Sequence, residues 1–474
     1  LEDGEGLIAL RQRKRAVQTA RVRSKVRTRR RSAWFGRPAL IAAIALVVGF
    51  SITACDSAQR VRTTTPRATT TTANTVVDVY SSLPLSGPQA AEGRAIQHGI
   101  RLGIFENEDD GEIDGIKVHY VPLNDADKSG WNASAVEEHA ERAARDPRAV
   151  MYIGDLNSGA TEVSLPILNQ AGIVQITPGS AYAGLTDAVT NVTKQQEPQK
   201  FYPTGIFTLL RLVPDDMVQA AAALEALSSA PISCNRVAAI QFGSNLDGPA
   251  LVSAIQVTTR DYKMTYVTTP KLASATKSAE LTYAEDLKQK ATQCLVVTGR
   301  TTAEAISLVK TFHTVLPTEP IVATSGLCNR QFTDSRDGGL PVALAPYVSC
   351  TSPVLPISSY GPLESKQFIA EYRQRFGRHS TPAPYAAYGY VAGELTADAI
   401  LTLGFGDNRL AMQSALLGGG EHESGLMDGL YFDSHGNLST PDRFGLFEIE
   451  NGVPVLNHVL TPTKVVACAG TDPC

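Results

Sequence analysis

From Thr75 onward, short β-branched runs alternate with longer amphipathic stretches for more than 250 residues, and this rhythm is what most restricts the fold. VVDVYSSLP (76–84), KVHYVPL, AVMYIGDL and IVQITP read as buried strands, with helical patterns over 93–105, 132–145 and 160–170 between them. Strand, helix and strand in series imply a parallel sheet covered on both faces. A second series follows with RVAAIQF, MTYVTTP, CLVVTG and PIVATS, separated by helical patterns over 248–259, 279–292 and 302–315. The α/β class and two lobes follow, joined near 207–227. YVSCTSPVL (347–355) and helices over 364–376 and 387–403 are expected to return to the first lobe. The end (430–456), with His435-Gly436-Asn437 and Asn451-Gly452 as hairpin turns, is expected to finish the second. The expected division is 75–205 with 328–405, then 206–327 with 406–460, and a tail over 461–474.

The charge is uneven along the chain. Residues 1–54 hold 12 of the 43 Lys and Arg but 3 of the 47 Asp and Glu, so the rest carries 31 basic against 44 acidic residues, about -13. An acidic body excludes a broad nucleic-acid footprint, which needs clustered cations. The basic stretch instead precedes sixteen uncharged residues, ALIAAIALVVGFSITA (39–54), in the order of a secretory signal. Small residues just before Cys55 resemble the lipobox of bacterial lipoproteins. That resemblance implies acylation of the Cys55 thiol and anchoring to the outer side of a cell membrane, a permanent single span being the alternative. Residues 55–74, with seven threonines between Thr63 and Thr72, are too polar to form a core and are expected to act as a tether.

Six further cysteines, an even number, fit an exported chain with disulfides. Fifteen pairings are possible. Cys234 with Cys294 (each before a strand), Cys328 with Cys350, and Cys468 with Cys474 are the pairs the elements suggest, free thiols the alternative. No CxxC occurs and no His stands at ligand spacing from a cysteine, so neither metal nor cofactor is expected.

Catalytic patterns are missing as well. The chain has no HExxH, no G-x-S-x-G elbow, no P-loop and no G-x-G-x-x-G after a strand, so a non-enzymatic function is expected. A binding cleft has better candidates. Ser158, Gly159 and Ala160 follow AVMYIGDL and open a helix, whose free N–H groups suit a carboxylate; a plain N-cap serine is the alternative. Ser86 and Gly87, after the first strand, either line the same opening or only make its turn.

Five stretches resemble the leucine/isoleucine/valine-binding family of type I periplasmic binding proteins, which serve ABC importers. They are LPLSGPQAAEGRAIQHGIRLG (83–103), IGDLNSGATEVSLPILNQAGIVQITPGS (153–180), RLVPDDMVQAAAA (211–223), PYAAYGYVAGELTADAI (384–400), and the ending from YFDSHGN to ENGVPV. The resemblance implies two Rossmann-like lobes joined by a three-crossover hinge that closes on a small solute, with an ABC permease as partner; a monomer is the default expectation. It places Ser158 on the serine that holds the ligand carboxylate. It also exposes departures. Ala181, between Ser180 and Tyr182, replaces a threonine. Ser325 stands where an acidic residue pairs with the ligand ammonium, and Arg300 and Glu92 stand where aromatics occur. An Arg facing a Glu across the cleft would select a polar or zwitterionic solute rather than leucine, isoleucine or valine; two solvated loop charges are the alternative. A sensory lipoprotein and a non-binding envelope scaffold are the other functions such a chain could have.

Overall fold

The computed structural model describes residues 75–105, 111–229, 231–242, 249–268, 276–403, 408–422, 424–427, 429–439 and 443–462. The expected signal segment, Cys55, the tether and the Cys468–Cys474 pair lie outside them.

The chain begins with β1 (Thr75–Leu83), α1 (Ala90–Ile104), β2 (Gly111–Ile113) and β3 (Ile116–Asn124). A small ladder of β4 (Ala126–Asp127) and β5 (Gly130–Trp131) leads to α2 (Ala133–Arg145), β6 (Ala149–Ile153), α3 (Ser158–Gln170), β7 (Val174–Thr177) and β8 (Leu209–Arg211). These build one sheet in the order β2-β3-β1-β6-β7-β8, parallel except for β2. All residues of β6 and β7 are buried, as expected of strands covered on both faces.

The second lobe holds α4 (Asp216–Ser228), β9 (Arg236–Phe242), α5 (Pro249–Thr258), β10 (Thr265–Tyr266), α6 (Lys277–Gln289), β11 (Cys294–Gly299), α7 (Ala303–Val315) and β12 (Ile321–Ala323). A short α8 (Arg330–Thr333) and β13 (Val348–Ser352) follow. The chain then returns to the first lobe for α9 (Pro362–Phe376), α10 (Ala386–Ile400) and α11 (Asn408–Leu417), and ends in the hairpin β14 (Phe444–Glu450) and β15 (Val453–Leu460). The second sheet runs β10-β9-β11-β12-β13-β14-β15.

Three placements differ from expectation. Leu209–Arg211 is the edge strand of the first sheet, beside β7, so the first crossover comes after Arg211 rather than at 206. Val348–Ser352 is in the second sheet, between β12 and β14, not in the first lobe. Residues 408–417 cover the first sheet, with Arg409 donating to the carbonyls of Ala149, Ala171 and Asp146. Apolar periodicity marks a strand but does not say which sheet supplies its neighbours. Of the two expected hairpins, Asn451-Gly452 turns a full one, whereas among the described residues around His435-Gly436-Asn437 the strands are reduced to isolated bridges, Phe432 with Leu438 and Asn437 with Arg211.

Cys234 pairs with Cys294, Cα atoms 6.3 Å apart, and Cys328 with Cys350 at 5.4 Å. Spanning 60 and 22 residues, the bonds restrict the unfolded chain by about 4 and about 3 kcal/mol on the loop-entropy model. The second bond also pins the segment after β12 to β13.

Candidate ligand cleft

In open α/β sheets the carboxyl ends of strands face the ligand crevice. On the first lobe that edge is built by the turns after β1, β3, β6 and β7. Asn157 caps α3 with extended backbone but makes no side-chain cap bond, and its Oδ1 is buried without a hydrogen-bond partner. Ser158 is thus the first helical residue, not the cap. Its Oγ accepts from the Tyr182 N–H at 3.1 Å. The first N–H groups of any helix lack intrahelical acceptors, so α3 directs donors and the positive end of its dipole at this corner. Gly159 and Ala160 are buried beside it. In the first turn of α1, Glu92 Oε2 is likewise buried and unpartnered, as is Oε1 of Gln89 just before it. Tyr385, whose hydroxyl is pushed up by burial and by the Glu92 charge, packs with Leu85, Leu156 and Ala181 on the same core.

A buried polar layer supports this edge. Asp155 Oδ2 accepts from Ser164 Oγ at 2.7 Å and Ser82 Oγ donates to Asp125 at 3.3 Å. Burial pushes the Asp155 carboxyl up to about 8 and that of Asp125 up to about 7, the neighbouring Asp125 charge adding to the effect on Asp155.

From the second lobe, Gly299 turns the chain after β11 with φ +102°, and a Cβ there would strike the Phe242 carbonyl at 1.8 Å. The next residue, Arg300, reaches across: its Nη1 lies 3.3 Å from where a Cβ on Gly130 would stand. Gly130 belongs to the β4–β5 ladder, which packs on the Gly87 turn. Ser325 begins the turn after β12, and its Oγ donates to Gln219 Oε1 at 2.6 Å.

The expected site residues therefore separate into groups. Ser158, Gly159, Ala160, Ala181 and Tyr182 come together around the start of α3. Ser86 ties its own turn, donating to the Ala126 carbonyl at 2.6 Å. Ser180 is fully buried, bonded to Thr161 and the Asp155 carbonyl, so its hydroxyl serves the lobe interior. The Tyr182 hydroxyl is likewise engaged, donating to buried Glu197. Ser325 is turned toward Gln219 of α4. Sequence reasoning passed over Asn157, Gln89, Gln219 and Tyr385. An Asn at a strand-to-helix junction was a usable signal for the first; nothing local distinguished the others. Arg211, only 1% exposed, was also passed over: it donates to the Tyr182 carbonyl at 2.8 Å and to Thr186 and Asn437, holding the 182–187 loop against the third crossover.

Two lobes, three crossovers and facing strand ends define the class of two-lobed binding proteins. The periplasmic binding protein family matches residues 81–450, and the chain belongs to that family. A Leu/Ile/Val-binding protein homolog from Brucella abortus is 29% identical over 105 residues, 22% of this chain, and the match spans only 27% of that relative's length. Among solved structures, the branched-chain amino-acid transporter substrate-binding protein LivJ of Streptococcus pneumoniae, in complex with isoleucine, superposes with TM-score 0.61 at 21% identity, covering 82% of this chain and all of that one. An R. palustris solute-binding protein in complex with 4-hydroxybenzoate gives 0.61 at 14% identity, covering 82% and 97%. At such identities these likenesses establish the fold alone.

Proposed function

We propose that the chain is the solute receptor of an ABC importer and that it binds a small zwitterionic or polar carboxylate between its lobes. One observation carries the reading: the start of α3 presents the Ser158 and Gly159 N–H groups at the corner where Asn157 Oδ1 is a buried acceptor without a partner, with Glu92 and Gln89 supplying two more buried acceptors at the start of α1. A buried polar atom left unpaired costs about 1–3 kcal/mol. A carboxylate on the Ser158 and Gly159 N–H groups, with an ammonium, amide or hydroxyl on Asn157 and Glu92, would relieve that cost, the Ala160 N–H being already given to the Asn157 carbonyl at 3.0 Å. Arg300 and Ser325 would close over it from the second lobe. Closure has to be favoured by contacts made only in the closed form, since equal affinity for both forms shifts nothing. The two disulfides and the secretory order of the N-terminus support an extracytoplasmic, lipid-anchored location through Cys55. The relatives' names support the transport role.

The test is calorimetric titration with the twenty L-amino acids and with aryl carboxylates including 4-hydroxybenzoate. The expected result is selective binding that falls at least tenfold in Ser158→Ala, with Glu92→Gln weakening ammonium-bearing solutes more than plain carboxylates. Binding indifferent to both substitutions would sink the assignment of the site.

A further inference from the structure

We propose that the space enclosed by the three crossovers is a second small-molecule site, separate from the cleft, that takes an apolar carboxylic acid. The cavity measures about 280 Å³, near the lower end of small-molecule sites, roughly 300–1,000 Å³. Each crossover supplies a wall: Leu212 from the first, Leu355 and Tyr360 from the second, Leu430, Leu438 and Arg443 from the third. Pro214 and Pro353 also line it, and their fixed φ resists local collapse of the backbone. The Tyr388 hydroxyl donates to the Pro353 carbonyl at 2.7 Å, and the residue lines the same cavity.

The polar end of the cavity has a sign. Arg443 is exposed and donates to the Ser359 carbonyl at 3.2 Å, with the rest of its guanidinium fork able to meet an anion. Glu364 also lines the cavity, but its charge is already met at a helix start. A Cβ on Gly361 would meet Glu364 Oε2 at 1.9 Å, so this carboxylate is folded back over the start of its own helix α9, where the dipole favours it. Ser158, Arg300 and Ser325 of the cleft take no part in the lining.

The probe is 4-phenylbutyrate, an aryl body on a flexible carboxylate, titrated calorimetrically into the full chain. Wild type and Ser158→Ala are expected to bind it equally. Leu438→Trp, which fills the cavity, and Arg443→Gln, which removes the charge, are expected to weaken it at least tenfold. Absence of binding to wild type overturns the proposal, as does binding that Ser158→Ala abolishes or that both cavity substitutions leave unchanged. Should Leu438→Trp fail to fold, the exposed Arg443→Gln carries the test. The cleft is read by the loss of binding in Ser158→Ala and the cavity by the loss in Leu438→Trp and Arg443→Gln, so either reading can fail alone.

Discussion

At the scale of single residues, the Asp155–Asp125 pair is the least ordinary feature of the first lobe. Both carboxyls lie in the polar layer beneath the ligand edge, and burial raises both, to about 8 and about 7. In the unfolded chain each ionises near its ordinary value of 3.8. Between about pH 4 and pH 8 the folded state therefore holds more protons than the unfolded one, and stability falls as pH rises. The melting temperature is expected to be lower at pH 9 than at pH 5, and Asp155→Asn, which cannot ionise, is expected to flatten part of that slope. A wild-type profile rising from pH 5 to pH 9, or one that Asp155→Asn leaves unchanged, would contradict this account. The same layer also engages Ser180. Its position after β7 is right, but its hydroxyl is needed below.

At the scale of elements, α1 and α10 pack backbone against backbone. Gly99 and Gly103 on one helix face Gly389 and Gly393 on the other, and both pairs are spaced four apart so that they fall on one side. A Cβ on Gly389 would meet the Ile96 carbonyl at 2.1 Å, and one on Gly99 the Ala386 carbonyl at 2.2 Å. Alanine at Gly389 gains about 1 kcal/mol of helix propensity. It must nevertheless push two backbones apart, and overpacking of that kind costs about 1–3 kcal/mol. Gly389→Ala is expected to lower the urea midpoint with an unchanged slope, whereas a raised midpoint would mean that the seam opens at no cost. Because α10 follows the second crossover, the seam also fixes where the returning chain re-enters the first lobe.

At the scale of the whole molecule, one apolar core crosses between the lobes. It joins Leu165, Leu185 and Phe201 of the first lobe to Met217, Leu224, Val296 and Val322 of the second. Above it, Arg211 ties the 182–187 loop to Asn437 of the third crossover. Lobes that share a core lose it together, so calorimetric unfolding is expected to give a single transition whose van't Hoff enthalpy matches the measured one. Two resolved transitions would show the lobes to be energetically independent. The shared core does not extend to Arg300 or Gly130.

The alternation of strand and helix, the two-lobed plan and the positions of β1, β6, β7, β9 and β11 were legible from Thr75 onward, because backbone periodicity and turn chemistry are local; both described disulfides were among the candidate pairs, but sequence left their choice open. The start of α3 was legible for the same reason: a strand ending in Gly154-Asp155-Leu156 before Asn157-Ser158-Gly159 announces a helix N-terminus. Sheet membership was not. Val348–Ser352 and Leu209–Arg211 carry the same apolar pattern as any buried strand, and only pairing across the sheets, a contact between distant segments, assigned one to each lobe. Nor did sequence distinguish an open serine from an engaged one. Ser158, Ser180 and Ser325 all stand at strand ends, yet whether a hydroxyl faces a solute, a carboxylate layer or Gln219 depends on neighbours brought from 20 to more than 100 positions away. The chain's local chemistry determined which elements form; their packing decided which of the polar groups were left for a ligand, because hydrogen-bond partners are consumed in space rather than along the sequence.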